Sequence, residues 1–149
     1  MKKMFLAMTL LVAFSISSFA GGTDVDMKLL NDLASTLKSS AQINWTNKDT
    51  YTKATFKFND RIASAFYSAD NNELIGFAVQ FDRQDLPDFV SNVIANKYGD
   101  WQLKEAIVFI DPKGYINYYA QVQKGKKALA LKVTPNGNLS VYTSFAPGN

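Results

Sequence analysis

Asp82, Asp85 and Asp88 form a cluster of carboxylate side chains that could bind a metal ion. Clustered carboxylates are the ligands that Ca²⁺ prefers. Their spacing lacks the Asp-x-Asp-x-Asp-Gly order of a calcium loop, whereas it suits a linker followed by the first turn of a helix. Asp70-Asn71-Asn72-Glu73 could also supply oxygen ligands to a metal ion, but this segment is more typical of a turn. We therefore predict no metal site and no cofactor.

The remaining residue types exclude most catalytic chemistry. The 149 residues contain no His and no Cys, so Ser–His–Asp triads, thiolate nucleophiles and the usual zinc sites are excluded. Lys38-Ser39-Ser40 is the nearest approach to a Ser–Lys dyad, but it lies where a polar helix end is expected. A glycosidase would need two facing carboxylates about 5–10 Å apart, and the sequence offers no evident pair. We predict no catalytic residue and no enzyme activity.

The first 20 residues are typical of an export signal. Lys2 and Lys3 precede an apolar run from Phe5 to Ile16, and Ser18 and Ala20 are small residues before Gly21. This three-part pattern predicts cleavage near Ala20–Gly21, with a mature domain over 21–149 that enters the periplasm or leaves the cell. A membrane anchor is the alternative, but a span needs about 20 apolar residues. We expect no stable membrane insertion after cleavage.

Charge argues against nucleic acid as a partner. The chain has 16 basic and 13 acidic side chains, and loss of Lys2 and Lys3 would leave a formal net charge of +1. The basic run from Lys124 to Lys127 is short and suits a solvated hairpin tip. Arg61 and Arg83 are the only arginines, so the sequence does not predict an arginine cluster that captures anions.

Hydrophobic periodicity predicts one helix and several strands, and then the same again. The first helix spans 24–38, with Thr23 or Asp24 as its cap, and Asp85 opens a second helix that ends at Tyr98. The predicted strands are 42–46, 51–58, 61–68, 73–81, 102–110, 115–123, 127–134 and 139–145. Residues 106–110 are continuously apolar, which indicates a buried central strand.

The two halves, about 24–82 and 85–145, read as an internal duplication. Trp45 and Trp101 occupy the same place in both, after the helix, where a large ring can fill the gap between helix and sheet. Strands joined by hairpins are antiparallel. We predict an α+β domain in which two repeats form a curved antiparallel sheet of about eight strands, with both helices on one face.

The opposite sheet face is the candidate binding surface. If Phe56, Ile75, Leu129 and Val141 face the helices, alternation places tyrosines and small or polar residues on the other face. Tyr suits binding surfaces because it offers apolar area, a polar tip and little rotamer entropy to lose. Tyr is equally a good residue for a solvent-exposed strand, so both interpretations stay open. The candidate residues are Tyr67, Tyr115, Asn117, Tyr119, Gln121 and Tyr142, with Ala63 and Ala65 among their small neighbours.

The second half carries a pattern seen in a known family. Leu86-Pro87, the aliphatic positions Val90 and Ile94, and Lys97-Tyr98-Gly99-Asp100-Trp101 resemble the Leu-Pro, aliphatic stripe and Tyr-Pro-x-Trp of the PepSY-like exported proteins of Bacteroidetes. Gly99 stands where that family usually has Pro. These proteins are grouped by fold with the β-lactamase-inhibitor protein. The resemblance implies a non-enzymatic binding or inhibitory domain whose partner is undefined, and it implies no contact residues.

These observations predict an exported binding domain. Its partner is expected to be another periplasmic or extracellular protein, held on the open sheet face. The alternative is a small-ligand or cell-envelope glycan binder that uses the same aromatic side chains. A deep pocket beside the tyrosines would favour the alternative, and a broad, shallow face would favour protein binding.

Overall fold

A computed structural model describes residues 25–146 of the chain. The predicted export signal, residues 1–20, therefore lies outside the described residues. Two α-helices, one short 3₁₀ helix and eight strands make up the described part. They are α1 (Met27–Ser39), β1 (Asn44–Asn47), β2 (Tyr51–Phe58), β3 (Arg61–Ser68), β4 (Leu74–Phe81), the 3₁₀ turn Arg83–Asp85, α2 (Asp88–Tyr98), β5 (Gln102–Ile110), β6 (Ile116–Lys124), β7 (Lys127–Val133) and β8 (Leu139–Phe145).

Helix α1 begins later than the sequence predicts. Asp26 is its N-cap, and the carboxylate accepts a hydrogen bond from the backbone N–H of Leu29 at 2.9 Å. Such a cap stabilises a helix by about 1 kcal/mol because it satisfies one of the unpaired first-turn donors. Thr23 and Asp24, the predicted caps, lie outside the described residues. None of the helices over residues 25–146 has the length and apolar character that a membrane span requires.

All eight strands form one sheet in the order β1 to β8, and every neighbouring pair is antiparallel. Tight turns join most neighbours. At Asn59-Asp60, both central residues have positive φ angles of 47° and 63°, as the mirror-image turns of hairpins require. Strands β4 and β5 also pair, although the 3₁₀ turn and α2 separate them along the chain. The predicted α+β fold class is confirmed.

Both helices lie on the same face of this sheet. Leu30 and Leu33 of α1 share one core cluster with Val108 of β5. Val90 and Ile94 of α2 share a second cluster with Ala106, two residues earlier on the same strand. Because side chains two residues apart on a strand point to one face, the two clusters form a continuous layer. We call the other side of the sheet the open face.

A bulge in β4 corrects part of the predicted alternation. Phe66 pairs with Gly76 and Tyr67 with Leu74, so Ile75 is an extra residue between two pairs. An extra residue reverses the alternation of a strand. Ile75, predicted to face the helices, therefore packs in the cluster on the open face, while Leu74 packs on the helix side.

Two further expectations about the faces are wrong. Ala63 and Ala65, predicted on the open face, are fully buried in the α1 core. Trp45, predicted to fill the core, keeps 58% of its surface exposed because β1 is a short edge strand. Trp101 does pack against the α2 core, where its ring meets Tyr98 edge to face at 5.7 Å.

Candidate binding face

Aromatic and aliphatic side chains from six strands gather on the open face. They pack together as Tyr51, Phe66, Ala78, Ile107, Phe109 and Tyr119, with Ile75 and Tyr142 beside them. We call this set the open-face cluster. Its rings are in contact: Tyr51 meets Phe66 edge to face at 5.7 Å between centroids, and the centroids of Phe66 and Phe109 lie 6.4 Å apart. The cluster is separate from the two cores under the helices.

Strand register brings these side chains together. Ala78 of β4 lies opposite Phe109 of β5, and Ile107 of β5 lies opposite Tyr119 of β6. Tyr142 reaches the same group from β8, and its ring meets Tyr119 edge to face at 5.3 Å. Cross-strand aromatic and β-branched pairs of this kind contribute about 0.2–1 kcal/mol each. The open-face cluster is therefore built by the sheet itself and extends to its β8 edge.

The structure brings most of the predicted binding residues to this face. Asn117, Tyr119 and Gln121 alternate along β6 on the open side, and Tyr142 joins them from β8. Tyr115 precedes β6 with the same alternation, and its backbone forms an isolated bridge to Val25. Whether these residues bind a partner stays a prediction.

Tyr67 does not belong to this face, which corrects its predicted position. It packs against the α1 core, and its ring lies 6.1 Å from that of Trp45. Tyr67 shares its side of β3 with Ala63 and Ala65, so all three point toward the helices. Burial raises the pKa of the Tyr67 phenol.

The central residues of the face are much less exposed than a solvent-facing sheet predicts. In the full-length chain, Tyr119 exposes 5% of its surface, Asn117 exposes 2% and Phe66 none. Burial raises the pKa of the Tyr119 and Tyr142 phenols above the ordinary value near 10, and for Tyr142 the neighbouring Tyr119 adds to the effect. Both phenols therefore stay neutral at physiological pH, where they offer ring surface and hydroxyl groups.

Two lysines lie on the same face. Lys53, with 5% of its surface exposed, lies opposite Phe66, and Lys132 lies opposite Tyr119. Burial lowers the pKa of both ammonium groups, and Lys48 adds to the effect at Lys53. The face thus combines an aromatic centre with polar and basic side chains.

Sequence reasoning missed the larger apolar members of the open-face cluster. Tyr51, Phe66, Ile107 and Phe109 were not among the candidate residues. One signal could have found two of them, because the continuous apolar run 106–110 predicts a strand that is buried on both faces. Such a strand requires apolar neighbours on the open side as well as beneath the helices.

A separate cleft of about 370 Å³ opens where β3, β4 and β5 meet the 3₁₀ turn. Both arginines line it, which the sequence did not predict. Arg61 pairs with Asp85 at 3.3 Å and lies over the Phe81 ring at 4.5 Å, and Arg83 donates to the Leu103 carbonyl at 2.9 Å. Acidic side chains balance their charge in the lining, and no tyrosine of the open face is among the described residues of the cleft. Its lining is Asp60, Arg61, Ile62, Gln80, Phe81, Asp82, Arg83, Leu103, Lys104, Glu105 and Ala106.

The three clustered aspartates take different places. Asp82 precedes the 3₁₀ turn, Asp85 pairs with Arg61, and Asp88 lies in the first turn of α2. Pro87 occupies the N-cap position of α2 without a side-chain hydrogen bond. Over residues 25–146, no three Asp, Glu, His or Cys side chains are arranged to hold a metal ion.

Comparison with known proteins gives similarity of fold rather than of sequence. No family model matches the chain, and no curated protein sequence matches it significantly. Solved structures do match. A BLIP-like protein from Bacteroides fragilis NCTC 9343 superposes with a TM-score of 0.66 at 17% identity, over 87% of this chain and 92% of that one.

Two other Bacteroides proteins match comparably. A DUF2874 family protein from Bacteroides uniformis ATCC 8492 gives a TM-score of 0.63 at 13% identity, covering 83% of this chain and 90% of that one. A protein from Bacteroides eggerthii DSM 20697, described as one of the "putative periplasmic proteins", gives a TM-score of 0.63 at 18% identity, covering 83% of this chain and 89% of that one. At these identities the likeness establishes the fold alone: this chain has a BLIP-like α+β fold found in Bacteroides.

Proposed function

We propose that this protein is an exported, non-catalytic binding domain that holds another envelope or extracellular protein against its open face. The observation that carries the proposal is the open-face cluster. It gathers large apolar and aromatic side chains on the sheet face that neither α1 nor α2 covers. Large apolar side chains gathered on a sheet face that no helix of residues 25–146 covers are typical of a face that another polypeptide packs against.

The aromatic content of the cluster suits protein recognition. Interfaces derive most of their binding energy from a few central residues, among which Tyr is enriched, surrounded by polar groups. Tyr119 and Tyr142 already touch each other, so less side-chain entropy is lost when a partner covers them. The polar residues Asn117, Gln121 and Lys132 lie next to them on the sheet.

The solved structures and the sequence pattern support the same proposal. One similar structure is described as periplasmic and another as BLIP-like, and the first 20 residues of this chain have the pattern of an export signal. Membership of the PepSY-like family, suggested by the residues from Leu86 to Trp101, belongs to the proposal as well. The aromatic cluster favours a protein partner over a small ligand, because no tyrosine is among the described residues that line the cleft of about 370 Å³.

A capture experiment with matched variants tests this function. The whole 149-residue sequence is expressed with export, and the purified protein is used to capture proteins from a Bacteroides envelope fraction. Tyr142→Lys places a charge on the open face, while Trp45→Lys places the same charge on an exposed aromatic position of the other face. We expect Tyr142→Lys to abolish capture and Trp45→Lys to retain it.

A second variant and a protease control complete the design. Tyr119→Ala/Tyr142→Ala removes both rings, and circular dichroism establishes that the variant is folded. Protease treatment of the captured fraction separates a protein partner, which is lost, from a glycan, which survives. Equal capture by the parent protein and by folded Tyr119→Ala/Tyr142→Ala would show that the face is only a surface.

A further inference from the structure

Strand β8 forms one edge of the sheet. It pairs with β7 on one side, and among residues 25–146 no strand pairs with its other side. This outer edge is accessible in the full-length chain, since Ser140 and Ser144 are exposed and Val141 exposes 49% of its surface. Another chain can therefore reach the outer edge of β8.

Strand register shows which backbone groups of β8 point outward. Across the hairpin that joins β7 and β8, the N–H of Thr134 donates to the carbonyl oxygen of Asn138 at 3.0 Å. Residues along an antiparallel strand alternate between those bonded to the neighbouring strand and those whose N–H and C=O point away from it. Pairing with β7 is regular as far as Val141. Since Asn138 is bonded inward, Leu139 and Val141 direct their N–H and C=O groups outward.

The first part of β8 lacks the features that usually prevent an edge strand from pairing. Such features are charged residues, proline and bulges. Residues 139–145 contain no charged residue and no proline. The strand does contain a bulge, but its extra residue, Tyr142, follows Val141. The regular segment 139–141 is therefore open to a further strand, whereas pairing beyond Tyr142 is interrupted.

We propose that segment 139–141 pairs with the same segment of a second copy of this protein, antiparallel, around a two-fold axis at Ser140. Leu139 of each copy then lies opposite Val141 of the other, and the two residues exchange backbone hydrogen bonds. Leu139 packs on the α2 core, and Val141 shares its side of the strand, so apolar side chains meet on the helix side. Ser140 and Val141 lie outside the open-face cluster, so this pairing and the capture of a partner are separate properties.

Self-pairing suits this segment better than pairing with an unrelated strand. Across a two-fold axis each residue meets a residue of the same segment, so a charge near the axis would face its own copy and be repelled. The two Ser140 hydroxyls that meet there can each donate and accept a hydrogen bond. The axis also uses Leu139 and Val141 twice, which compensates for the short regular segment. Such a contact closes at two copies and does not propagate into a filament.

Sedimentation of the purified exported protein gives the first test. We expect the mass of one chain at about 1 µM and a shift toward twice that mass at roughly 500 µM, because this short segment buries less surface than the ~1,200 Å² of a stable interface. Val141→Pro removes an outward N–H, and Val141→Lys places a charge beside the axis; both should keep the mass of one chain. Asn44→Lys adds the same charge at an exposed position of β1, the opposite edge, and should dimerise like the parent.

Disulfide cross-linking gives the second test, because the chain has no Cys and a single introduced thiol reports the register. Ser140→Cys places the thiol at the axis, where the two Cα atoms lie about 4.5 Å apart, within reach of a disulfide. Ser144→Cys, also at an exposed position of β8, lies farther from the axis, so its two thiols are about 26 Å apart. Under the same mild oxidation, Ser140→Cys should form the linked dimer at least about tenfold faster than Ser144→Cys.

Each test has an outcome that overturns the pairing. A parent protein that keeps the mass of one chain at the higher concentration does not pair. Dimers that persist in Val141→Lys, shown by circular dichroism to be folded, would place the contact on another surface. Equal rates of cross-linking for Ser140→Cys and Ser144→Cys would indicate random collision rather than a two-fold axis at Ser140. Val141→Lys decides the first test if Val141→Pro does not fold.

Discussion

Replacing Gly76 by Ala should destabilise the protein strongly, because the bulge in β4 brings this residue against two neighbours. Gly76 has φ +158°, and a Cβ atom there would lie 2.5 Å from Cζ of Phe109 and 2.6 Å from the carbonyl oxygen of Ile110. The ring can move only within the open-face cluster, and the carbonyl belongs to the backbone of a central strand. Real Cβ atoms do not approach so closely, so the sheet must shift.

The size of the effect follows from two contributions. Overpacking in a closely packed region costs about 1–3 kcal/mol, and a sparsely populated backbone conformation adds about 1–2 kcal/mol. We therefore expect Gly76→Ala to lower the free energy of unfolding by about 2–5 kcal/mol. With a urea dependence of about 1–3 kcal/mol per molar, the unfolding midpoint should fall by about 1 M or more.

Gly125→Ala is the matched control. Gly125 has φ +60°, but no atom lies within 4 Å of the position that its Cβ would occupy. Gly125→Ala therefore reports the cost of a positive φ angle without a steric contact, about 1–2 kcal/mol. Urea unfolding of both variants, followed by circular dichroism, separates the two effects. If Gly76→Ala were no less stable than Gly125→Ala, the steric argument for the bulge would be refuted.

Two other predictions concern the α1 core and the tyrosines. Leu33→Ala should lower the free energy of unfolding by about 2–5 kcal/mol, because Leu33 is fully buried between α1 and the sheet. Leu29 is only half-buried, so Leu29→Ala should lower the free energy of unfolding less. Equal losses for the two variants in urea unfolding would contradict this prediction. Burial raises the pKa of the Tyr119 and Tyr142 phenols above their unfolded values, so their stabilising contribution is complete below about pH 10 and is lost as the pH rises further. Between about pH 8 and 11, the free energy of unfolding of Tyr119→Phe/Tyr142→Phe should fall less steeply with pH than that of the parent protein. Parallel curves for the two proteins would show that these phenols do not cause the pH dependence.

Periodicity predicted the secondary structure closely because the local signals agreed with one another. Strands β2, β3 and β8 have the predicted bounds, and Asn59-Asp60 and Pro135–Asn138 lie between strands as expected. Alternating apolar residues and turn-forming residues act over a few positions, so they need no knowledge of distant contacts. The single antiparallel sheet then follows from hairpin connections.

The sequence could not predict which side chains of β3 point toward the helices and which point to the open face. Ile62, Ala63, Ser64, Ala65 and Phe66 place apolar residues on both sides of the strand, so no local pattern distinguishes its two faces. Pairing decides: Ala65 lies opposite Ala54, which packs beneath α1. That contact places Phe66 on the open face and Tyr67 on the helix side.

Sequence by itself determined the elements, the fold class and the absence of His and Cys chemistry, because residue type and short-range spacing carry that information. Tertiary structure alone decided which residues meet on the open face. Phe66, Ile107, Tyr119 and Tyr142 come from four strands whose contact depends on register, and one extra residue at the Gly76 bulge changes the face on which Ile75 lies. Register is fixed by the packing of the whole sheet on its helices, which no local segment contains.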